Sequence, residues 1–111
     1  MLPKSNRLPS LEIRALMYRG KRLSAPELQL VYHTNKLGVA RFAFVVSTNI
    51  DKRATVRNRI KRLLRQSVRH LLPEIKPGFD IIFIIKGKPG ASSSLQVEAR
   101  VKQIFQQIKL L

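Results

Sequence analysis

The stretch from Thr55 to Leu72 constrains the fold more than any other part of the chain. At about 100° per residue, a helix there collects five aliphatic residues on one side, namely Val56, Ile60, Leu63, Leu64 and Leu71. The opposite side holds Asn58, Lys61, Arg62, Arg65 and Arg69, with Arg57 and Arg59 at its two edges. The pattern predicts a long amphipathic helix that docks its aliphatic side on a sheet and turns its basic side away from the core.

The basic side of this helix has no acidic residues to neutralise it. Eight Lys and Arg but no Asp or Glu occur between Lys52 and Arg69. A solvated helix face normally mixes both signs of charge, and a membrane-surface helix normally carries aromatic anchors, which the aliphatic side lacks. Arg side chains match phosphate oxygens with two parallel hydrogen bonds. We therefore predict a phosphate-binding surface made of Lys52, Arg53, Arg57, Asn58, Arg59, Lys61, Arg62, Arg65 and Arg69.

The overall charge supports the same class of partner. Twenty-two Lys and Arg stand against six Asp and Glu, giving a net charge of +16 in 111 residues. A chain with so much self-repulsion usually meets a polyanion, most often nucleic acid. Its 44% hydrophobic content is nevertheless enough for a core, so we expect one domain over residues 1–111.

Cysteine usage and hydropathy indicate the cellular compartment in which the chain is expected. Without cysteine, the chain has neither disulfides nor thiolate zinc sites. The longest apolar run, residues 81–85, is too short to cross a bilayer, and the first residues have no apolar signal core. We expect a cytoplasmic protein without a membrane partner.

Two further helices are predicted. The first covers about residues 10–19, ends at Gly20 and has an apolar side formed by Leu11, Ala15, Leu16 and Tyr18. The last covers about residues 94–110 and begins with a capping box of Ser93 and Gln96. Its apolar stripe consists of Val97, Val101, Ile104, Phe105 and Ile108.

The strands are shorter patterns. Residues 28–32 and 39–47 are predicted strands, and the turn residues at 34–38 favour a hairpin between them. Residues 79–86 are apolar on both faces, which is typical of a central strand. Residues 21–27 are predicted to form a loop, and a further strand within 37–50 would bring the sheet to four. The order predicts an α+β sandwich.

The sequence contains no arrangement of residues suited to catalysing hydrolysis. The six acids are scattered, whereas a two-metal nuclease needs clustered carboxylates. His33 is interpreted as a strand end and His70 as a helix end, and the chain has no glycine-rich phosphate loop. We expect no hydrolytic activity from the protein alone.

Several segments together resemble one family. The central motif runs Arg57-Asn58-Arg59-Ile60-Lys61-Arg62-Leu63-Leu64-Arg65. In order around it stand Asn6-Arg7-Leu8, Gly20-Lys21-Arg22, the strand from Phe42 to Ser47, and Pro77-Gly78-Phe79-Asp80. In these segments and their spacing, the chain resembles the protein subunit of bacterial ribonuclease P.

The resemblance implies a fold and a role. The fold would be a two-layer α/β sandwich with three helices, a four-stranded mostly antiparallel sheet and a left-handed βαβ crossover. The Arg57 to Arg65 helix would face a catalytic RNA subunit, one protein per RNA, and the complex would remove the 5′ leader of precursor tRNA. Mg²⁺ would serve the RNA subunit, and the protein would bind no cofactor of its own. A cleft between the first helix and the sheet would receive the leader, at positions Ile13, Met17 and Val31.

The chain departs from the family pattern at three places. Aromatic residues usual in the first helix are replaced by Ile13 and Met17, a lysine pair by Thr48-Asn49, and a late aromatic in the motif helix by Val68. Core packing is an equal alternative for Ile13 and Met17. Two other functional classes share the size and charge of this chain: structural RNA-binding proteins, such as ribosomal ones, and DNA-compacting proteins.

Overall fold

Three helices and a mixed four-stranded sheet make up the fold, as predicted. The computed structural model describes residues 2–25, 28–86 and 94–108. The helices are α1 (Ser10–Arg19), α2 (Ala54–Leu71) and α3 (Ser94–Gln107), and the strands are β1 (Lys21–Ser24), β2 (Leu28–Thr34), β3 (Arg41–Val45) and β4 (Phe79–Ile85). Single 3₁₀ turns precede α1 and follow α2, at Lys4–Asn6 and Leu72–Glu74.

The sheet has the order β1-β2-β4-β3. β2 pairs antiparallel with both β1 and β4, whereas β3 pairs parallel with β4 and is joined to it through α2. The predicted central position of β4 is confirmed, because Ile81, Ile82 and Phe83 are fully buried on the two faces. The handedness of the β3–α2–β4 crossover stays the prediction that the family resemblance makes.

The predicted hairpin between β2 and β3 is wrong, because β4 lies between these strands. The turn residues instead lead the chain across the start of β4. There the Asn35 side chain donates to the Val39 carbonyl at 3.1 Å and to the Asp80 carboxylate at 2.7 Å. Backbone bonds from Asn35 to Gly78 and from Gly78 to Val39 hold the same crossing. The polar turn residues therefore bond to a strand that lies more than 40 residues further along the chain.

The fourth strand is not where the sequence placed it. Residues 21–24, predicted as part of a loop, form β1, while residues 37–50 contain only β3. β1 is short and mainly exposed, so its residues carry no alternating apolar signal. The predicted loop region at residues 26–27 lies outside the described residues.

The larger core lies between the sheet and the pair α2 and α3. Phe83 and Phe105 are fully buried at its centre, with ring centroids 5.8 Å apart. Of the predicted α3 stripe, Val101, Ile104 and Phe105 are buried and Ile108 packs against them. Ser93 lies outside the described residues, so the capping box stays a prediction, as does the side chain of Val97.

A second, smaller core lies on the other face of the sheet, under α1. Leu16 packs there on Val31, Ala43 and Ile82, with Ile13 and Met17 at the margin. The predicted apolar side of α1 is wrong apart from Leu16, since Leu11 is 91% exposed and Tyr18 87%. The inward residues are spaced by three and four, at 13, 16 and 17, which is the spacing of one helix face.

Gly20 allows α1 to lie this close to the sheet. A Cβ added at Gly20 would clash with Cγ1 of Val31 on β2. Gly20 also joins α1 to β1 directly, and its amide donates to the Leu16 carbonyl at 2.7 Å. The glycine fixes how closely α1 covers the second core.

Candidate nucleic-acid interface

The predicted helix α2 docks by the predicted side. Ile60, Leu64 and Leu71 are buried in the larger core, with Val56 packed against them and Leu63 half-buried. Val68 completes this side and is fully buried, as is Ser67, whose hydroxyl donates to the Leu63 carbonyl at 3.0 Å. With these residues inside, the basic side faces outward.

The basic side forms a continuous outer surface, which we call the α2 front. Asn58, Arg59, Arg62 and Arg69 are exposed, while Lys61 and Arg65 are half-buried. The ion pairs described for Arg41, Arg53 and His70 include neither Arg59 nor Arg62. Exposed guanidinium groups on one helix face can meet successive phosphates of a nucleic-acid backbone.

The loop before α2 is held by its own charges. Asp51 is buried and accepts from the Arg53 amide at 2.9 Å and from the Arg53 guanidinium at 3.1 and 3.0 Å. These bonds to Asp51 raise the pKa of Arg53 above its usual value, so this exposed side chain stays cationic. Lys52 is exposed beside it.

Arg57 has a structural contact that its place in the motif did not indicate. Its Nη1 donates to the backbone carbonyls of Asp51 and Lys52 at 2.9 and 2.8 Å. Arg57 therefore ties the loop to the first turn of α2. An RNA contact by Arg57 stays a prediction, whereas Arg59 and Arg62 project without such a bond to any described residue.

A groove along α1 contains Ile13 and Met17, two of the three positions predicted for the leader cleft, and its role as that cleft stays a prediction. This α1 groove has a volume of about 630 Å³ and is lined by Ser10, Ile13, Arg14, Met17, Tyr18 and Arg22. Ile13 and Met17 are half-buried, so they both pack on the second core and line the groove. Val31 must be corrected as a lining residue: it has no exposed surface and lies beneath α1.

Tyr18 is the groove residue that helical spacing missed. About 100° of rotation from Met17 predicts a different direction for its side chain. Tyr18 nevertheless borders the same open groove, as do Arg14 and Arg22, and the Arg22 Nη2 donates to the Met17 carbonyl at 2.9 Å. The available sequence signal was the spacing from Arg14, because Tyr18 follows Arg14 by four residues and so lies on the same face of α1.

The titratable groups form no metal site within the described ranges. No group of three or more His, Asp or Glu side chains there could hold a metal ion. His70 does have a partner, since its Nδ1 lies 2.6 Å from the Glu98 carboxylate on α3. His33 is exposed at the end of β2, and its Nδ1 lies 2.7 Å from the Thr34 carbonyl.

Comparison with known proteins decides the family. A family model described as Ribonuclease P matches residues 2–109. This chain belongs to the Ribonuclease P protein family. The Ribonuclease P protein component of a Synechocystis strain is 33% identical over 112 residues, covering 99% of this chain and 90% of that protein. The component from a Thermoanaerobacter strain is 43% identical over 79 residues, covering 71% and 67%.

Solved ribonuclease P proteins have the same fold. The Staphylococcus aureus protein matches with a TM-score of 0.84 at 21% identity, covering 96% of this chain and 98% of that one. The Thermotoga maritima protein matches with a TM-score of 0.82 at 23% identity, covering 91% and 96%. As a ribonuclease P protein component, the chain is part of an endonuclease complex whose other part in this family is an RNA subunit. Within the described residues, no helix is both long and apolar enough to span a membrane.

Proposed function

We propose that this ribonuclease P protein binds the catalytic RNA subunit through the α2 front and helps it remove the 5′ leader of precursor tRNA. The observation that carries the proposal is the α2 front itself. Arg59 and Arg62 are exposed there with no carboxylate bonded to them in the described part of the chain. When such a surface binds a nucleic acid, its cations neutralise phosphates and release the counterions condensed on them, which favours binding.

The chemistry belongs to the RNA subunit in this proposal. Phosphodiester hydrolysis needs an activated water and stabilisation of the leaving oxygen, which Mg²⁺ held by RNA supplies. The described residues of the protein offer no carboxylate cluster for that purpose. Their part is to neutralise phosphates, which brings RNA segments together and allows catalysis at lower Mg²⁺ concentration.

The α1 groove is the proposed contact for the leader. Ile13 and Met17 give it an apolar floor, while Tyr18 and Arg14 offer a ring and a cation at its border. Single-stranded nucleic acid binds to such combinations of stacking surface and positive charge. The groove lies on the opposite face of the sheet from α2, so one protein presents separate surfaces to the RNA subunit and to the substrate.

Reconstitution tests the proposal. Purified protein incubated with precursor tRNA and Mg²⁺ should cut nothing, and adding a bacterial ribonuclease P RNA at low Mg²⁺ should release the 5′ leader in one piece. RNA alone under the same conditions is the control. Cleavage by stringently purified protein alone would refute the division of labour. RNA binding without stimulation of cleavage would instead indicate a structural RNA-binding protein.

Met17→Ala tests the α1 groove. Base stacking on an aromatic ring is worth about 1–3 kcal/mol, and an aliphatic contact is worth less, so we expect only a modest loss of affinity for precursor tRNA. Tyr18→Ala should cost more, because its ring is 87% exposed and available for stacking. Affinities of the reconstituted complex for precursor and mature tRNA are compared. Equal losses for the two RNAs would place Met17 and Tyr18 outside the leader contact.

A further inference from the structure

A row of rings leads from the larger core to the α2 front. Phe105 contacts Phe83, and Phe83 stacks on Phe44 with centroids 5.3 Å apart and planes 9° from parallel. The Cζ of Arg65 then lies over the Phe44 ring, 6.0 Å from its centroid. Arg65 is half-buried, unlike Arg62 one turn earlier, which is exposed. The Arg65 guanidinium therefore lies within cation–π distance of a ring that is itself packed on the core.

A cavity opens beside Arg65, at the outer edge of the sheet. This edge cavity has a volume of about 280 Å³ and is lined by Leu2, Arg7, Phe42, Ala43, Phe44 and Arg65. Its walls come from the N-terminal segment, β3 and α2. The Arg7 side chain is oriented there by a 3.0 Å bond from its Nε to the Leu2 carbonyl.

The backbone of β3 adds a polar edge to this cavity. The Phe42 carbonyl accepts a bond from the Leu8 amide at 2.8 Å, so Phe42 turns its backbone groups away from β4. Alternate residues of a strand point the same way, so the amide and carbonyl of Phe44 also face outward. No described residue outside the sheet bonds to them. The edge cavity thus combines a fixed guanidinium, a second arginine, an apolar wall and open backbone groups.

We propose that the edge cavity receives one unpaired base of the catalytic RNA, stacked on the Arg65 guanidinium. A flat guanidinium backed by a ring is a stacking surface for a base, and unpaired bases are read by stacking together with bonds to their edges. The backbone groups of Phe44 supply such bonds, and Arg7 supplies a cation for the adjoining phosphate. The volume lies below the roughly 300 Å³ at which pockets for drug-sized ligands begin, which suits a single base. The RNA subunit is the source because Arg65 shares α2 with Arg62, so this inference rests on the proposed function.

Replacing Arg65 by Lys separates stacking from charge. Arg65→Lys keeps the positive charge and removes the plane, so affinity for ribonuclease P RNA should fall about 5- to 150-fold, equivalent to the 1–3 kcal/mol of one stacked base. The slope of log affinity against log salt should stay the same, because no charge is lost. Arg62→Lys is the matched comparison, since it makes the same change at an exposed position with no ring beneath it. A loss for Arg65→Lys no greater than that for Arg62→Lys overturns the inference.

Phe44→Leu tests the ring beneath the guanidinium. It keeps an apolar side chain against Phe83 and should weaken RNA binding about 2- to 5-fold, equivalent to the 0.5–1 kcal/mol of an exposed cation–π contact. Because Phe44 packs on the core, the melting temperature is measured first, and binding is measured well below it. Unchanged affinity of a folded Phe44→Leu variant counts against a fixed stacking surface.

Chemical probing of the RNA identifies the base and separates this inference from the proposed function. One unpaired nucleotide of ribonuclease P RNA should be protected by the protein and by Arg62→Lys, but not by Arg65→Lys. If Arg62→Ala weakens binding while no nucleotide depends on Arg65, the stacking inference fails and the proposed function stands. Protection that maps to the leader and appears only with precursor tRNA also overturns it, because the base would then come from the substrate.

Discussion

Arg41→Ala should lower the free energy of unfolding by about 3–5 kcal/mol. Arg41 lies at the start of β3 with a side chain only 12% exposed, and its Nε and Nη2 donate to the two Asp80 oxygens at 2.9 and 2.8 Å. Its Nη1 donates to Glu12 on α1 at 2.7 Å. Removing the guanidinium leaves the Asp80 carboxylate, 14% exposed, with the Asn35 amide as its remaining described side-chain partner. The cost is that of an uncompensated charge in a largely buried place.

Two comparisons isolate this charge pair in urea denaturation. Glu12→Ala removes a partner that is 49% exposed, so it should cost less than about 1 kcal/mol. The double variant Arg41→Ala with Asp80→Asn should be more stable than Arg41→Ala alone, because no unpaired carboxylate remains. The hydrogen bonds that Arg41 donates to Asp80 also raise the pKa of Arg41, so the guanidinium stays charged. A loss below 1 kcal/mol for Arg41→Ala would mean that water already screens the pair.

Elements with a strong local period were predictable from the sequence. Periodicity alone predicted the aliphatic side of α2, the apolar stripe of α3 and the two apolar faces of β4. Each of these patterns repeats within a single element, so it can be read without knowing which element packs against it. Strand order was not predictable in this way, because the turn at residues 34–38 satisfies its bonds with Gly78 and Asp80. The short strand β1 is defined by pairing with β2 alone. Strands that pair over long sequence separations carry little local pattern that identifies their partner strand.

The candidate site likewise has one part that the sequence predicts and another part that only the packing of elements produces. The α2 front follows from the sequence, because helical geometry alone collects its cations on one side. The contacts of Arg57 with the preceding loop, of Arg65 with Phe44 and of Tyr18 with the α1 groove depend on how separate elements pack. In the sequence, the six basic residues of α2 therefore differ only in their position around the helix. The structure gives Arg57, Arg62 and Arg65 three different surroundings.

Substitutions on the two sides of α2 should have opposite effects. Ile60→Ala removes a side chain that is 7% exposed and should lower the free energy of unfolding by about 2–5 kcal/mol. Arg62→Ala removes an exposed charge, so the melting temperature should barely change. Affinity for ribonuclease P RNA should fall instead, and the log–log salt slope should flatten by roughly 0.7–0.9 for the lost phosphate contact.

Matched controls decide whether position or net charge matters. Lys36→Ala removes one exposed charge from the loop before β3, at the opposite end of the sheet from the first turns of α2, and should leave the salt slope nearly unchanged. Asn58→Ala removes no charge at all. If the exposed Asn58 amide makes a directed bond to RNA, affinity should fall with the slope preserved, because no counterion is released. Arg62→Ala with unchanged affinity and slope would show that the α2 front does not face the RNA subunit, whatever the stability of Ile60→Ala.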